Sequence, residues 1–230
     1  MIHEVATSAN ELWEASSRRL PEFSPEEQRA GLVLHRELAR GEPIGAAQLA
    51  QALAVPNGDA EDLLTESGLS PFVYTDEGGR VLGFWGLSTV RMPHRFNLEG
   101  RRLWTWCAQD SLFLPELLGE TANVESADPE SGELVELTIS PDGIEFVAPQ
   151  GVVVSFNSPE AWELTSAERV ITTACHHIFF FTSRSSGERW VAKHRNTVLL
   201  SLEDAFAIGK LQNAHLFGEE LVRRENNIKT

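Results

Sequence analysis

Apolar positions in the first third of the chain recur with the spacing of amphipathic helices. Ser24, Pro25 and Glu27 form a helix-start signal, with a capping serine, a first-turn proline and the glutamate of a capping box. One apolar face and a glycine stop follow at Ala30, Val33, Leu34, Leu38 and Gly41. The same spacing predicts a second short helix from about residue 45 and a third near residues 60–64.

Two strand-like pieces come next, PFVY and RVLGFWGL, and the turn sequence TDEGG joins them. Three helices followed by a β-hairpin form the plan of a winged helix, which in many proteins binds DNA through its third helix. The third predicted helix here has no basic residue and carries Asp59, Glu61, Asp62 and Glu66. It would repel phosphate, so we interpret the region as a structural module and keep a DNA-binding regulator as the alternative.

Strand-like segments dominate from residue 89 to about residue 183 and are bounded by turn sequences such as EGR and SPDG. One helix is predicted inside this region, from about residue 107 to residue 118, and Pro115 should kink or shorten it. The apolar segment TTACHHIFFFTS is predicted to be a buried strand. On such a strand, Cys175 and His177 would share one face.

The C-terminal part returns to a helical pattern, with a short helix at SGERWVAKHR and a longer one that Ser201 and Asp204 begin. The predicted fold class is α+β, with an N-terminal winged-helix-like module packed on a mixed core of small antiparallel sheets and helices. We place an N-terminal arm at residues 1–24, the module at residues 25–88 and the core at residues 89–230.

Charge and composition narrow the range of partners. The 230 residues carry a net charge of −15, which argues against a nucleic-acid partner and against anionic membranes. No apolar run reaches the length of a membrane helix, and the first residues do not have the pattern of a secretory signal. With only two cysteines, the chain does not resemble a secreted disulfide scaffold, so we expect a cytoplasmic protein with reduced thiols.

Cys107 and Asp110 lie in the sequence WTWCAQD, where a strand-like run meets the predicted helix. A thiol at a helix N-terminus is favoured as the thiolate by the helix dipole, although the nearby carboxylate opposes this. Two thiols and one carboxylate would suit binding of a soft metal ion and delivery of a proton. The plainer interpretation is a small buried cysteine beside a first-turn helix charge.

Cys175 is followed by two histidines, which raises two further hypotheses. A zinc site would need ligands that converge, but neighbouring histidines on a strand face opposite ways, and neither CxxC nor HExxH occurs. A Cys–His hydrolase would pair either cysteine with His177, His194 or His215, and nothing in the sequence places these groups together. The nucleotide-binding loops GxGxxG and GxxxxGK[ST] and the GxSxG nucleophile motif are absent.

The amino-acid sequence around both cysteines resembles the sequences of the organomercurial (alkylmercury) lyase family. RRLWTWCAQDSLFLPELLGETANV is similar to the stretch around that family's first catalytic cysteine, and ACHHIFFFTS to the stretch around its second. Further similarity covers ELARGEPIGAAQLAQALAVP, WGLS, LTISPDGIEFVAPQG, WVAKH and SLEDAFAIG. The resemblance spans about residues 30–217. It is specific because both cysteines, the aspartate and their order recur together.

The resemblance implies cleavage of the carbon–mercury bond by Cys107, Asp110 and Cys175, which are also the residues expected to hold the metal. It implies no required organic cofactor, mercury(II) as the bound product and external thiols for turnover. The implied partners are an organomercury substrate, low-molecular-weight thiols and a mercuric reductase that accepts mercury(II), with no nucleic acid and no membrane. The alternatives are a relative that only sequesters mercury or another soft metal, and a divergent enzyme with another substrate.

Some positions depart from the family pattern or carry a weaker expectation. His176 stands where many members have a second cysteine, and Asp128 lies near the position of another. We expect the first change to affect metal release or side reactivity and the second to affect stability alone. Trp104, Trp106 and Phe180 are the candidates for the walls of a pocket around the organic group.

Overall fold

The N-terminal part is helical, as its apolar periodicity predicts. A computed structural model describes the backbone of residues 9–228 and the side chains of residues 9–218, 220 and 221. Its first helices are α1 (Ala9–Ser17), α2 (Pro25–Leu38), α3 (Ala46–Leu53) and α4 (Asn57–Thr65). The predicted capping box begins α2, since the Ser24 amide donates to Glu27 Oε2 at 2.8 Å and the Glu27 amide to Ser24 Oγ at 3.3 Å.

The predicted arm at residues 1–24 contains α1, and residues 1–8 lie outside the described part of the chain. Leu12 of α1 is buried, and Trp13 meets His215 edge to face with ring centroids 6.0 Å apart. The arm therefore docks on the C-terminal helix. The division into an arm, a module and a core remains a prediction.

Eight strands form one antiparallel sheet in the order β1-β2-β3-β5-β4-β6-β7-β8. The strands are β1 (Val73–Thr75), β2 (Val81–Phe84), β3 (Leu87–Ser88), β4 (His94–Leu98), β5 (Arg101–Thr105), β6 (Ala122–Ala127), β7 (Leu134–Ile139) and β8 (Ile144–Ala148). The antiparallel arrangement was predicted correctly, but this sheet is not small. The predicted hairpin pairs as β1 and β2, and a turn at residues 85–86 then starts β3, which pairs with β5 of the core.

A second sheet contains three strands. Its order is β10 (Phe180–Phe181), β9 (Val153–Asn157) and β11 (Thr197–Ser201), all antiparallel. The remaining helices are α5 (Ala108–Leu118), α6 (Ala167–Arg169), α7 (Arg184–Val191) and α8 (Leu202–Ile228). Within the described residues, no helix combines the length and the apolar character that a membrane crossing requires.

Helix α5 lies almost wholly buried against α8. Gly209 of α8 permits this contact, because a Cβ there would lie 2.9 Å from the Cβ of Phe113. Asn213 of α8 donates its amide to the Phe113 carbonyl at 3.0 Å. Helix α5 has nearly the predicted bounds, so Pro115 does not shorten it, and whether Pro115 kinks it stays a prediction. The helix closes with the Gly119 amide bonded to the Pro115 carbonyl at 2.8 Å.

The predicted strand at TTACHHIFFFTS is wrong for most of its length. The chain forms α6 and then a π-helical segment, Val170–Cys175, and only Phe180–Phe181 is strand. Ser166 caps the start, since its hydroxyl accepts from the Arg169 amide at 3.2 Å. The Thr172 hydroxyl donates to the Glu168 carbonyl at 2.8 Å, and such a bond lets a β-branched residue sit in a helix.

Two buried histidines make stability depend on pH. Burial lowers the pKa of His35 to about 4 and that of His94 to about 3, from an ordinary value of 6.5. Because the unfolded chain takes up these protons first, the contribution of the two histidines to stability is complete above pH 6.5 and falls as the pH drops towards 4. Two groups titrating together give a slope of about 2.7 kcal/mol per pH unit. We expect urea unfolding between pH 7.5 and 4.5 to show a net decline of about half this slope below pH 6.5, because the raised pKa of Asp110 contributes about 1.4 kcal/mol per pH unit in the opposite direction.

A histidine replacement separates this effect from other acid effects. The His94→Gln variant should lose about half of the slope attributed to the pair, whatever its stability at pH 7.5. An unchanged slope in that variant would show that His94 does not contribute to the decline.

Candidate active site

Cys107 is the N-cap residue of α5, and the helix brings Asp110 back to it. The Cys107 amide donates to Asp110 Oδ2 at 2.8 Å, so the carboxylate closes the first turn. Thr105, at the end of β5, donates its hydroxyl to the Cys107 carbonyl at 2.9 Å. The spacing Cys-x-x-Asp therefore places the carboxylate of Asp110 against the Cys107 backbone within one helical turn.

Cys175 ends the π-helical segment, which is a common location for functional side chains. Strand β9 holds the segment in place, because Asn157 donates its amide to the Thr173 carbonyl at 2.6 Å. The turn after Cys175 then reaches α5, where the Ala108 amide donates to the Ile178 carbonyl at 3.1 Å. This bond joins the segments that carry the two cysteines.

The thiols of Cys107 and Cys175 and the carboxylate of Asp110 form one group, with their ligand atoms all within 4.8 Å of one another. All three side chains are buried, and both cysteines are free. Within the described part of the chain, no other group of three or more cysteine, histidine or acidic side chains is arranged to hold a metal ion. Two soft sulfur donors and one oxygen suit a soft, thiophilic metal.

The protonation states follow from burial. Burial raises the pKa of Asp110 to about 7, although the hydrogen bonds from Cys107 favour the charged carboxylate. Burial, the Cys175 thiol and the charge of Asp110 raise the pKa of Cys107 well above its usual range. The Cys107 hydrogen bond favours a Cys175 thiolate, but burial and the charge of Asp110 leave the pKa of Cys175 raised. Burial and the charge of Asp110 therefore oppose the thiolate that the N-terminus of α5 favours.

An apolar pocket opens beside this group. The two cysteines, Asp110 and Trp106 line it, together with a set that the sequence did not indicate: Leu20, Phe72, Trp85, Gly86, Gln109, Phe156, Trp162, Leu164, Val170, Ala174, Ile178 and Gln212. Leu20 belongs to the predicted arm, and its neighbour Arg19 donates to the Trp162 carbonyl at 2.8 Å. The arm therefore forms part of the pocket.

Of the three predicted pocket residues, only Trp106 is in the wall. Trp104 points to the opposite face of β5 from the buried Leu103 and Thr105, and it lines a separate surface groove. Phe180 is buried and packs edge to face against His94. Alternation along β5 could have excluded Trp104, whereas no local signal marks Trp85 or Trp162.

The histidines of the alternative hypotheses have other neighbours. His177 lies beside His176 and His194, with ring centroids 4.9 and 5.3 Å away. His194 also stacks on Trp190 at 3.7 Å, and His215 contacts Trp13. Among the described residues, none of these histidines belongs to the group formed by the cysteines and Asp110.

Asp128 has a structural position. It is fully buried and accepts hydrogen bonds from the Thr182 amide at 2.9 Å and the Glu130 amide at 2.8 Å. The carboxylate thereby ties the β6–β7 turn to the end of β10. This position agrees with the expectation that residue 128 affects stability, which remains a prediction.

Comparison with known proteins shows which family has similar sequences. The family model for alkylmercury lyases matches residues 87–212. An alkylmercury lyase of Staphylococcus epidermidis is 36% identical over 177 residues, covering 77% of this chain and 78% of the relative. One from Pseudomonas putida is 34% identical over 180 residues, covering 78% and 81%. One from Streptomyces lividans is 34% identical over 183 residues, covering 79% and 81%.

The fold also has a solved counterpart. The crystal structure of the mercury-bound form of MerB2 aligns with a TM-score of 0.68 at 19% identity, covering 89% of this chain and 96% of that one. The structural likeness supports the α+β fold, and the sequence matches cover both cysteines and Asp110 within residues 87–212. This chain therefore belongs to the alkylmercury lyase family.

Proposed function

We propose that Cys107, Cys175 and Asp110 carry out the protonolysis of a carbon–mercury bond. The chain is an organomercurial lyase by family, and the proposal assigns the work to these residues. The observation that carries it is the convergence of two thiols and one carboxyl within 4.8 Å, buried beside an apolar pocket. The pocket would take the organic group while the sulfurs take the metal.

The first step forms one sulfur–mercury bond. The Cys107 thiol attacks the mercury of an organomercury compound R–Hg–X, and its proton leaves with the displaced ligand as HX. The raised pKa of Cys107 means that the sulfur gives up this proton as it bonds to mercury. The product of this step is a sulfur-bound organomercury adduct.

The second step breaks the carbon–mercury bond. Cys175 adds to the mercury, its proton passes to Asp110, and Asp110 delivers that proton to the carbon. The electron pair of the carbon–mercury bond forms the new carbon–hydrogen bond, so the products are the hydrocarbon RH and mercury(II) between two sulfurs. A carboxyl with a pKa of about 7 can both accept and donate a proton at neutral pH.

Turnover requires that mercury(II) leave the two sulfurs. We propose that two low-molecular-weight thiols remove it as a dithiolate complex and return one proton to each cysteine. A mercuric reductase is a further acceptor for the metal. Both cysteines must remain reduced for this cycle. The cytoplasm keeps thiols reduced, and we place the protein there.

Benzene release tests the proposal. Purified protein is incubated with a phenylmercury salt and excess thiol, and benzene is measured by gas chromatography. We expect many equivalents of benzene per chain with thiol, and no more than one equivalent when thiol is omitted. Binding of one mercury(II) per chain without any benzene would overturn the lyase proposal and support the alternative of a sequestering protein.

A further inference from the structure

A two-residue turn with unusual backbone angles lies next to Asp110 of the proposed catalytic group. Trp85 and Gly86 join β2 to β3, with φ of 39° and 90° respectively. Positive φ at both central positions is the signature of the tight hairpin turn called type I′. The second position of this turn favours glycine, but the conformation alone does not say why the turn occurs here.

Gly86 is in contact with Asp110. A Cβ placed on Gly86 would lie 2.5 Å from Asp110 Cγ and 2.7 Å from Oδ1, much closer than such atoms approach in proteins. The Gly86 carbonyl in turn accepts from the Trp106 amide at 2.9 Å, one residue before Cys107. The backbone of Gly86 therefore forms a wall against which the carboxyl of Asp110 rests.

Two aromatic residues that flank the helices α2–α4, Phe23 before α2 and Phe72 before β1, hold this turn in place. Trp85 packs edge to face on Phe72, with ring centroids 4.2 Å apart, and on Phe23 at 6.0 Å. The Trp85 amide also donates to the Phe72 carbonyl at 3.3 Å. The indole itself lines the pocket. Thus packing in the first third of the chain fixes a surface that contacts Asp110.

We propose that the Trp85–Gly86 turn is the seat that positions the carboxyl of Asp110 for proton delivery, with Gly86 as a positioning residue. The inference rests on the proposed function. It gives the first third of the chain a role in the reaction, because Phe23 and Phe72 hold a turn that presents a surface without a side chain to Asp110. The three atoms nearest to a Cβ on Gly86 all belong to Asp110 and none to a cysteine, so we expect metal binding not to depend on this surface.

The chain contains a matched control for the test. Glu99 and Gly100 form the turn between β4 and β5 with φ of 38° and 84°, close to the angles of Trp85 and Gly86. Both control residues are exposed, and a Cβ on Gly100 would meet nothing within 4 Å. The Gly100→Ala variant therefore introduces the same backbone strain as Gly86→Ala without the contact with Asp110.

Steady-state kinetics of benzene release separate the two variants. We expect Gly86→Ala to lower kcat at least ~10²-fold, because a displacement of about 1 Å is enough for such a loss. Its KM and its binding of one mercury(II) should stay within about threefold of Gly100→Ala. A kcat of Gly86→Ala within threefold of Gly100→Ala, or a parallel loss of mercury(II) binding, would overturn the inference. An inactive wild-type protein would instead refute the proposed function.

A double-mutant cycle on thermal unfolding covers the case in which Gly86→Ala folds poorly. A Cβ on Gly86 would also lie 2.7 Å from Asp110 Cβ, so the background must be Asp110→Gly, which removes the three nearest atoms. In the Asp110→Gly background Gly86→Ala should therefore lower Tm only as much as Gly100→Ala does. In the wild-type background its effect on Tm should be clearly larger. Equal effects in the two backgrounds would show that residue 86 does not act through Asp110.

Discussion

The Cys107→Ser and Cys175→Ser variants are expected to release benzene at least ~10³-fold more slowly than the wild-type protein. A hydroxyl oxygen is a hard donor and does not replace sulfur on a soft metal, so each variant loses one of the two metal–sulfur bonds. Benzene is measured by gas chromatography and bound mercury by elemental analysis after desalting. Both variants should also hold mercury(II) much more weakly, because a single sulfur remains.

The neighbouring His176→Ser variant is the control for Cys175→Ser. His176 is exposed and follows Cys175 directly, so its replacement disturbs the same segment without removing a thiol. We expect its rate to stay within a few-fold of the wild type. If Cys175→Ser kept more than a tenth of the wild-type rate, the assignment of the second thiol would be wrong.

The Asp110→Asn variant is expected to lose cleavage while it keeps the metal. Asparagine can still accept the hydrogen bond from the Cys107 amide through its side-chain oxygen, but it cannot transfer a proton to carbon. We expect benzene release to fall by about 10²–10⁴-fold and mercury(II) binding to remain at one per chain. Equal loss of cleavage and binding would contradict the role of Asp110 as the proton donor.

The same replacement should stabilise the metal-free protein at alkaline pH. Burial raises the pKa of Asp110 from an ordinary value of 3.8 to about 7, so the folded state holds a proton that the unfolded state has lost. The contribution of Asp110 to stability therefore falls as the pH rises from about 4 to 7, opposite to the effect of the two buried histidines, and about three pH units correspond to a penalty of about 4 kcal/mol above pH 7. Urea unfolding of the variant and the wild type should give a stability difference that grows between pH 4 and 8.

Local spacing in the sequence accounts for features of the fold and the site that lie within one helical turn. The capping box of α2 and the return of Asp110 to Cys107 both join residues three positions apart, within one helical turn. The family resemblance, not the spacing, indicated that Cys175 would join them. Proximity of residues 68 positions apart depends on the pairing of whole segments, and local patterns do not record that.

Two errors have physical causes. The segment before Cys175 has the apolar, β-branched composition of a strand, but the serine cap at its start and its threonine side chains supply bonds that allow a helix. The pocket wall at Trp85 and Gly86 comes from a turn that is distant from α5 in the sequence and contacts it only in the folded chain. Periodicity shows which residues are buried, and it does not show which buried aromatic side chains surround a cavity.

The buried, protonated thiols have a consequence for the lifetime of the protein. Peroxide and low-molecular-weight disulfides react with thiolates that solvent can reach, and the raised pKa of both buried cysteines lowers the fraction of that form. Mercury forms a strong bond to sulfur and can displace the proton, whereas weaker electrophiles cannot. We therefore expect both thiols to be oxidised slowly and to stay available for reaction with organomercury compounds.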